Sequence, residues 1–327
     1  MQSVERAKEM ARAIEKKLAE LGVSGHISDI SIGPYIITFY YKAGKGQRIR
    51  QIASLEDDLS ALFSIDVRAV IERGLRLEVP RVPPLDIPLK DINPTSGILI
   101  GLDREGLPYT LDLDKVPHLL IGGTTGAGKS NLIHVLIRGI KGRARLFGID
   151  FKRVELGMYK ESFKVAVEEN EVKELLSMLL SEMDSRYKKM EEMGVNNYRH
   201  LSLLPWICII DEYAELRFLF KEAEKAVIRI AQLGRASGIH LIVSTQRPDS
   251  RIISPIIKAN FPFRIVLRLA GAGDEKAMDC KGARRLIPPG DALANLKGDW
   301  ERIHVPYLTT DSQIRHCVKQ ASQDKVL

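Results

Sequence analysis

The sequence predicts an α/β fold: a mainly parallel sheet covered by helices, preceded by a small α+β unit. Three observations predict it. From about residue 99, strand-length apolar runs alternate with helical stretches, the pattern of parallel strands covered on both faces. A glycine-rich loop, Gly123 to Ser130, sits between such a strand and such a helix. Before residue 80 the pattern differs, with short strands paired by turns and two amphipathic helices.

The elements follow in order. Residues 3–21 form an amphipathic helix with Ala11, Ile14, Leu18 and Leu21 on one face and Gly22 as its stop. Strand-like runs 26–32 and 35–41 flank Gly33-Pro34, a hairpin signature. A helix is expected over 49–63 from its stripe of Ile52, Leu55, Leu59 and Phe63, then strands over 67–71 and 75–79. Pro80, Pro83, Pro84, Pro88 and Pro94 follow closely. Because proline fixes φ and removes a donor, the chain divides into a small domain at 1–82, an extended linker at 83–98 and a second domain at 99–327. In the latter, strands are expected at 118–121, 144–149, 206–210, 241–244 and 264–269. A long helix over 172–193 stops at Gly194, and a last helix lies near 311–322.

Composition narrows the function. Of 327 residues, 45% are apolar and 28% charged, enough apolar material for a large core. The net charge of +7 permits a nucleic-acid partner without demanding one. The cysteines (Cys208, Cys280, Cys317) lack disulfide or metal spacing, so a reducing cytoplasm is expected. No segment approaches a membrane span, and the charged N-terminus lacks an apolar signal core, so no membrane insertion is expected.

Residues 118–131 read HLLIGGTTGAGKSN and contain G-x-x-x-x-G-K-S between a strand and a helix, the context of a phosphate loop. Gly123, Thr124, Thr125, Gly126, Ala127 and Gly128 let successive amides face phosphate oxygens. Lys129 would bridge the β- and γ-phosphates and the Ser130 hydroxyl would ligate Mg²⁺, so ATP with Mg²⁺ is the expected cofactor pair. The apolar strand 206–210 ends in Asp211-Glu212. There Asp211 would hold Mg²⁺ and Glu212 would polarise an attacking water. A third strand ends in Gln246, placed to contact the γ-phosphate or to stabilise its loop. His118 reads as a packing or hydrogen-bonding residue.

These motifs resemble the motor of the FtsK/SpoIIIE family of DNA translocases. PHLLIGGTTGAGKS, IDFKRVELGMY (149–159), SEMDSRYKKMEEMGVNNY (181–198), LPWICIIDEYAEL (204–216) and GIHLIVSTQRP (238–248) keep the family's order and spacing. Residues 1–95 resemble its preceding small domain more weakly, through LAELGV, IGPYIITFYY and LEDDLSALF. The resemblance implies a RecA-like P-loop ATPase, a hexameric ring around double-stranded DNA, and a basic finger supplied by each neighbour. The family places an arginine near the start of the helix that here reads DEKAMDCKGA (274–283), where Lys276 is the nearest basic residue, with Arg235 and Arg229 as alternatives. Phe151 stands where the family has proline, and the Gln-Arg-Pro loop is about one residue shorter. The short tail after the motor is expected to leave out the family's winged-helix domain. With no membrane region either, a plasmid, phage or conjugative element is the expected client rather than a division septum.

Charge supplies a partly independent argument for DNA. Residues 251–327 carry 13 basic against 8 acidic groups, whereas 1–95 carry 14 against 13. Lys281, Arg284 and Arg285 surround Gly282, and Lys297 precedes Gly298. These positions correspond to the family's pore loops and suit sequence-independent phosphate contacts. Solvated surface charge is the alternative for that cluster, and the preferred reading of Arg251, Lys258, Lys152 and Arg153. Function therefore reads as ATP-dependent translocation of double-stranded DNA by a homo-oligomeric ring. The alternative is an ATP-switched DNA-binding loader working with an element-encoded protein partner. A P-loop kinase is disfavoured by the Asp-Glu pair.

Overall fold

The computed structural model describes residues 2–71, 74–82, 92, 94, 96–296 and 298–308. The linker expected over 83–98 lies mostly outside them, as do the last expected helix, Cys317 and Lys297.

The N-terminal unit opens with α1 (Gln2–Glu20), followed by the antiparallel pair β1 (Gly25–Ile32) and β2 (Ile36–Ala43). Ala7, Ala11, Ile14 and Leu18 recur at helical spacing on α1 and bury that face against Phe39, Leu77 and Val79. The helix expected over 49–63 is two helices, α2 (Ile49–Ala53) and α3 (Glu56–Phe63). The Ser54 hydroxyl donates to the Gln51 carbonyl and competes with the helical ladder. Glu56, Asp57 and Asp58 then restart it, since carboxylates favour a helix N-terminus. Strands β3 (Arg68–Ile71) and β4 (Leu75–Pro80) complete a sheet ordered β1-β2-β4-β3. The turn before β2 abuts the second unit. A side chain at Gly33 would fall 1.7 Å from the Arg104 carbonyl oxygen, so only glycine fits.

The second unit begins with β5 (Ile98–Leu102) and β6 (Pro108–Leu111), then β7 (His118–Gly122), α4 (Lys129–Ile140) and β8 (Arg145–Ile149). It continues through β9 (Lys164–Ala166), α5 (Glu169–Met193), β10 (Trp206–Ile210), α6 (Tyr213–Leu219) and α7 (Lys221–Ser237). The remaining elements are β11 (Ile239–Thr245), α8 (Pro255–Asn260), β12 (Phe263–Leu267), α9 (Ala272–Met278), β13 (Asp291–Asn295) and β14 (Glu301–His304). Helix α5 ends at Gly194, which takes the left-handed conformation of a helix stop.

The ten strands run β6-β5-β14-β13-β12-β7-β11-β10-β8-β9, parallel from β12 to β9 and antiparallel from β12 to β6. The five expected strands are the contiguous parallel centre, β12-β7-β11-β10-β8. Five further strands extend it. They are short, and β13 and β14 carry buried polar residues, Asp291 and Arg302, where an apolar pattern would otherwise show. Leu132, Ile133, Leu136 and Ile137 of α4 pack one face of the sheet. Val172, Leu175 and Leu179 of α5 with Val227 and Ile230 of α7 pack the other. Strand β7 lies between β11 and β12, both later in the chain. This is a topological switch point, where the carboxyl ends of the strands open a crevice.

Ion pairs tie the two units together. Glu78 of β4 pairs with Arg68 at 3.0 Å, Arg76 at 3.1 Å and Arg302 of β14 at 3.4 Å. Arg302 in turn meets Asp291 at 2.6 Å. Burial alone would raise the Glu78 carboxyl, but the guanidinium groups of Arg68, Arg302 and Arg76 outweigh it and hold it below its ordinary value. Among the described residues, no helix is long and apolar enough to cross a membrane.

Candidate functional site

The expected phosphate loop lies at the switch point. The Thr124 amide and hydroxyl both donate to the Arg268 carbonyl after β12, at 2.9 and 3.1 Å, and the Gly123 amide donates to Thr245 at 3.3 Å. Gly128 has φ of 102°, and a side chain there would fall 2.8 Å from the Gly290 amide nitrogen. That amide donates to the Ala127 carbonyl at 3.0 Å. Loop geometry and tertiary contact thus both demand glycine at 128. Thr125 and Gly126 are exposed at the loop tip, and the amides at the start of α4 favour an anion there.

The strand ends converge on this loop. Lys129 Nζ donates to Asp211 Oδ1 at 2.8 Å, to the Asp211 carbonyl at 3.2 Å and to Ser244 Oγ at 3.3 Å. Glu212 lies one residue on and caps α6. Its Oε1 accepts from Thr245 Oγ1 at 2.6 Å and the Ala214 amide at 3.3 Å, and its Oε2 from the Gln246 amide at 3.0 Å. Gln246 Oε1 accepts from Thr125 Oγ1 at 2.9 Å, so Gln246 joins the β11 edge to the loop. Lys129, Asp211, Glu212 and Gln246 therefore share one edge of the sheet.

Ser130 brings in a residue that the motif reading left without a role. Its hydroxyl donates to Glu155 Oε1 at 2.5 Å. Glu155 is aimed there by Asp150, the buried last residue before the loop after β8. Asp150 accepts from the amides of Arg153 at 2.9 Å, Leu156 at 2.8 Å and Gly157 at 3.3 Å and folds residues 150–157 into a tight turn. The signal was available: an apolar strand ending in Asp, then Glu-Leu-Gly five residues later. His134 Nε2 lies 3.8 Å from Glu155 Oε2, and His134 Nδ1 is 3.0 Å from the Tyr159 hydroxyl. Burial pushes His134 down to about 4, despite the opposing pull of Asp211. His118 is buried and hydrogen-bonded, its Nδ1 accepting from the Leu241 amide at 3.1 Å.

The expected basic residues are dispersed. Lys276 is exposed on α9 and Arg235 on α7, while Arg229 pairs across to Asp184 of α5 at 3.8 Å. Lys281 is exposed, and Arg284 sits 3.2 Å from Glu275. Arg285 turns back onto the N-terminal unit, 2.6 Å from Asp57 and 3.4 Å from Glu56, leaving 19% of its side chain exposed. Arg251 pairs with Asp249, Lys258 with Asp279, and Lys152 with Glu215. Among the described residues no cluster of His, Cys, Asp and Glu has metal-site geometry.

Comparison with known proteins decides the lineage. The model of the FtsK/SpoIIIE family matches residues 90–203 and 200–250, and that of the FtsK alpha domain matches residues 1–80. The chain belongs to the FtsK/SpoIIIE family. It is 31% identical to the DNA translocase FtsK of Oceanobacillus iheyensis, over 94% of this chain and 45% of that one. It is 30% identical to the DNA translocase SpoIIIE of Bacillus subtilis, over 87% of this chain and 41% of that one. The chain thus spans less than half the length of these curated relatives. In fold it is similar to the pCW3 conjugation coupling protein TcpA, solved as a monomer with ATPγS. There the TM-score is 0.66 at 23% identity, covering 95% of this chain and 99% of TcpA. It is also similar to the cytoplasmic domain of the type VII secretion ATPase EccC of Thermomonospora curvata. That TM-score is 0.59 at 23% identity, over 68% of this chain and 30% of EccC. The FtsK/SpoIIIE motor fold is therefore present with its alpha domain attached.

Proposed function

We propose that this chain hydrolyses ATP to move double-stranded DNA, working in the cytoplasm as a ring-shaped homo-oligomer, a hexamer by family resemblance. One observation carries the reading. Lys129, Ser130, Asp211, Glu212 and Gln246 meet at one sheet edge in a member of a family whose relatives are named DNA translocases.

The residues fit a magnesium nucleotide. Hydroxyl and carboxylate oxygens at Ser130, Asp211 and Glu155 form the hard donor set such an ion prefers. When bound, magnesium neutralises charge on the phosphate oxygens. Lys129 would meet a phosphate oxygen in place of Asp211, and Asp211 would be among the residues that hold the ion. Glu212 polarises the attacking water. Its tether to the Gln246 amide links that carboxylate to the loop after β11, so loss of the γ-phosphate is felt beyond the site. A neighbouring subunit supplies a basic finger, with Lys276 our first choice, and Lys281, Arg284 and Lys297 grip the duplex backbone. Arg285, engaged with Asp57 and Glu56, anchors the unit that carries the grip. Transfer of plasmid, phage or conjugative-element DNA is the task we assign.

The test is steady-state ATP hydrolysis with duplex, single-stranded or no DNA, beside Glu212→Ala. The expected result is duplex stimulation that grows with DNA length, abolished in the variant and matched by triplex displacement. Hydrolysis indifferent to DNA would overturn the reading, and stimulation independent of length would point to an ATP-switched loader.

A further inference from the structure

Ser130 and His134 stand four residues apart on α4, so one face of the helix carries both. The turn over 150–157 brings Glu155 against the first, and the short helical turn Gly157–Tyr159 brings Tyr159 against the second. His134 and Tyr159 are 4% and 0% exposed, and at such burial a polar group costs stability unless it is partnered. Four side chains therefore form one line: the Tyr159 hydroxyl, the His134 ring, the Glu155 carboxylate and the Ser130 hydroxyl. The phosphate-loop pattern ends at Ser130 and assigns nothing to position 134.

Charge sets the direction of the protons along this line. The Ser130 hydroxyl donates to Glu155 Oε1 at 2.5 Å, which commits its proton and leaves its lone pairs free for a cation. Glu155 Oε2 lies 3.8 Å from His134 Nε2, and a carboxylate so placed favours the tautomer with its proton on Nε2. Nδ1 is then an acceptor, and the Tyr159 hydroxyl, 3.0 Å away, donates to it. Tyr159 thus fixes the tautomer, and the tautomer presents an N–H to the Glu155 oxygen that Ser130 does not use. At 3.8 Å that contact is longer than a hydrogen bond, and contacts of this kind tighten when a site fills.

We infer that His134 is a positioning residue of the nucleotide site. Through Nε2–H it orients the Glu155 carboxylate, and through Glu155 it orients the Ser130 hydroxyl, for a nucleotide bound with magnesium. This rests on reading residues 123–130 as the phosphate site, with Ser130 among the residues that hold the ion. Groups behind a ligand in this way set how tightly the ion is held.

Two amides separate the roles of the two ring nitrogens. Asparagine reaches the place of Nδ1 and glutamine the place of Nε2, so His134→Asn keeps the Tyr159 contact and loses Glu155, and His134→Gln does the reverse. Fluorescent-ADP titration of the whole protein across Mg²⁺ concentrations reads the Mg²⁺ midpoint, with thermal unfolding followed beside it. His134→Asn is expected to raise the midpoint about tenfold, and His134→Gln to restore it. Tyr159→Phe, which frees the tautomer at nearly constant shape, is expected to raise it about threefold. In a Glu155→Ala background His134→Asn should add nothing, because the histidine acts through that carboxylate. A histidine that only fills the core would lower the unfolding temperature in both variants and leave their midpoints alike. Equal midpoints in the Asn and Gln variants would therefore overturn the assignment, as would an effect of His134→Asn that persists without Glu155. Should His134→Asn fail to fold, an unchanged midpoint in Tyr159→Phe overturns it instead. If ADP affinity of the wild type is indifferent to Mg²⁺, or Lys129→Ala binds ADP as the wild type does, the phosphate-site reading itself fails and this inference with it.

Discussion

Lys129 and Asp211 form a buried ion pair at 2.8 Å, their side chains 4% and 3% exposed. The phosphate-loop lysine is thus held by the carboxylate next to the proposed base Glu212, with the Ser244 hydroxyl within reach of both. On the proposed reading, phosphate oxygens would compete with Asp211 for the lysine, so that nucleotide arrival would release Asp211. Breaking a buried pair leaves an uncompensated charge. Lys129→Ala should therefore cost about 3–5 kcal/mol of unfolding free energy in urea titrations. Adding Asp211→Asn should restore most of that stability without restoring nucleotide binding. Unchanged stability in the single variant would show that the pair is not what holds this edge.

Glu155 makes a separable prediction. Glu155→Gln keeps a hydrogen-bond acceptor for Ser130 but removes a charge. If the carboxylate helps hold magnesium, ADP affinity without Mg²⁺ stays the same or rises, because a negative charge near the phosphates has gone. The Mg²⁺ concentration that half-maximally tightens ADP should rise about tenfold. A fluorescent-ADP titration across Mg²⁺ concentrations reads both quantities. An unchanged Mg²⁺ midpoint would assign Glu155 to propping Ser130 alone.

What the sequence revealed follows from how local each feature is. The phosphate loop is eight residues between a strand and a helix, and Asp211 ends a run of five apolar residues, so each is legible without knowledge of partners. Glu155 is not, because its aim at Ser130 depends on Asp150 gathering three amides. Strands β13 and β14 escape notice because Asp291 and Arg302 satisfy one another inside the fold. Arg285 shows a charge in sequence, whereas its partners, Asp57 and Glu56, lie more than 220 positions away. The expected helix over 49–63 keeps its apolar stripe through Ile52 and Leu59 although Ser54 interrupts it.

The junction of the two units rests on Glu78. With Glu78→Ala, Arg68, Arg76 and Arg302 each lose a buried carboxylate partner, and the expected loss is about 3–5 kcal/mol. Because the pair spans both units, calorimetric unfolding should broaden or split into two transitions. A single sharp transition at the wild-type temperature would show that apolar contacts alone join them.

The basic residues separate into two roles. Lys281 and Arg284 are exposed, so replacing either by alanine should weaken duplex binding whatever its sequence. Each should also reduce the slope of log affinity against log salt by about one. Arg285→Ala should leave that slope unchanged and lower thermal stability, since it removes contacts to Glu56 and Asp57. A salt slope that falls with Arg285→Ala would return this residue to the DNA surface.

The last prediction concerns pH. Burial is the main cause that holds His118 down at about 3 and His240 at about 4, against an ordinary 6.5. Each imidazole is therefore neutral in the folded chain down to that value. The unfolded chain takes up protons on both residues as pH falls through 6.5, and the folded chain does not. Stability is thus fully expressed above pH 6.5 and declines as the solution is acidified towards 4. The limiting slope for two such groups is about 2.7 kcal/mol per pH unit. Glu78, held below its ordinary value by its arginines, adds a loss of the same sign at lower pH. Urea unfolding at steps between pH 7.5 and 4.5 measures the limb. His240→Phe, which cannot protonate in either state, should flatten it by about 1.4 kcal/mol per pH unit. A limb equally steep in that variant would place the acid sensitivity elsewhere than in this histidine pair.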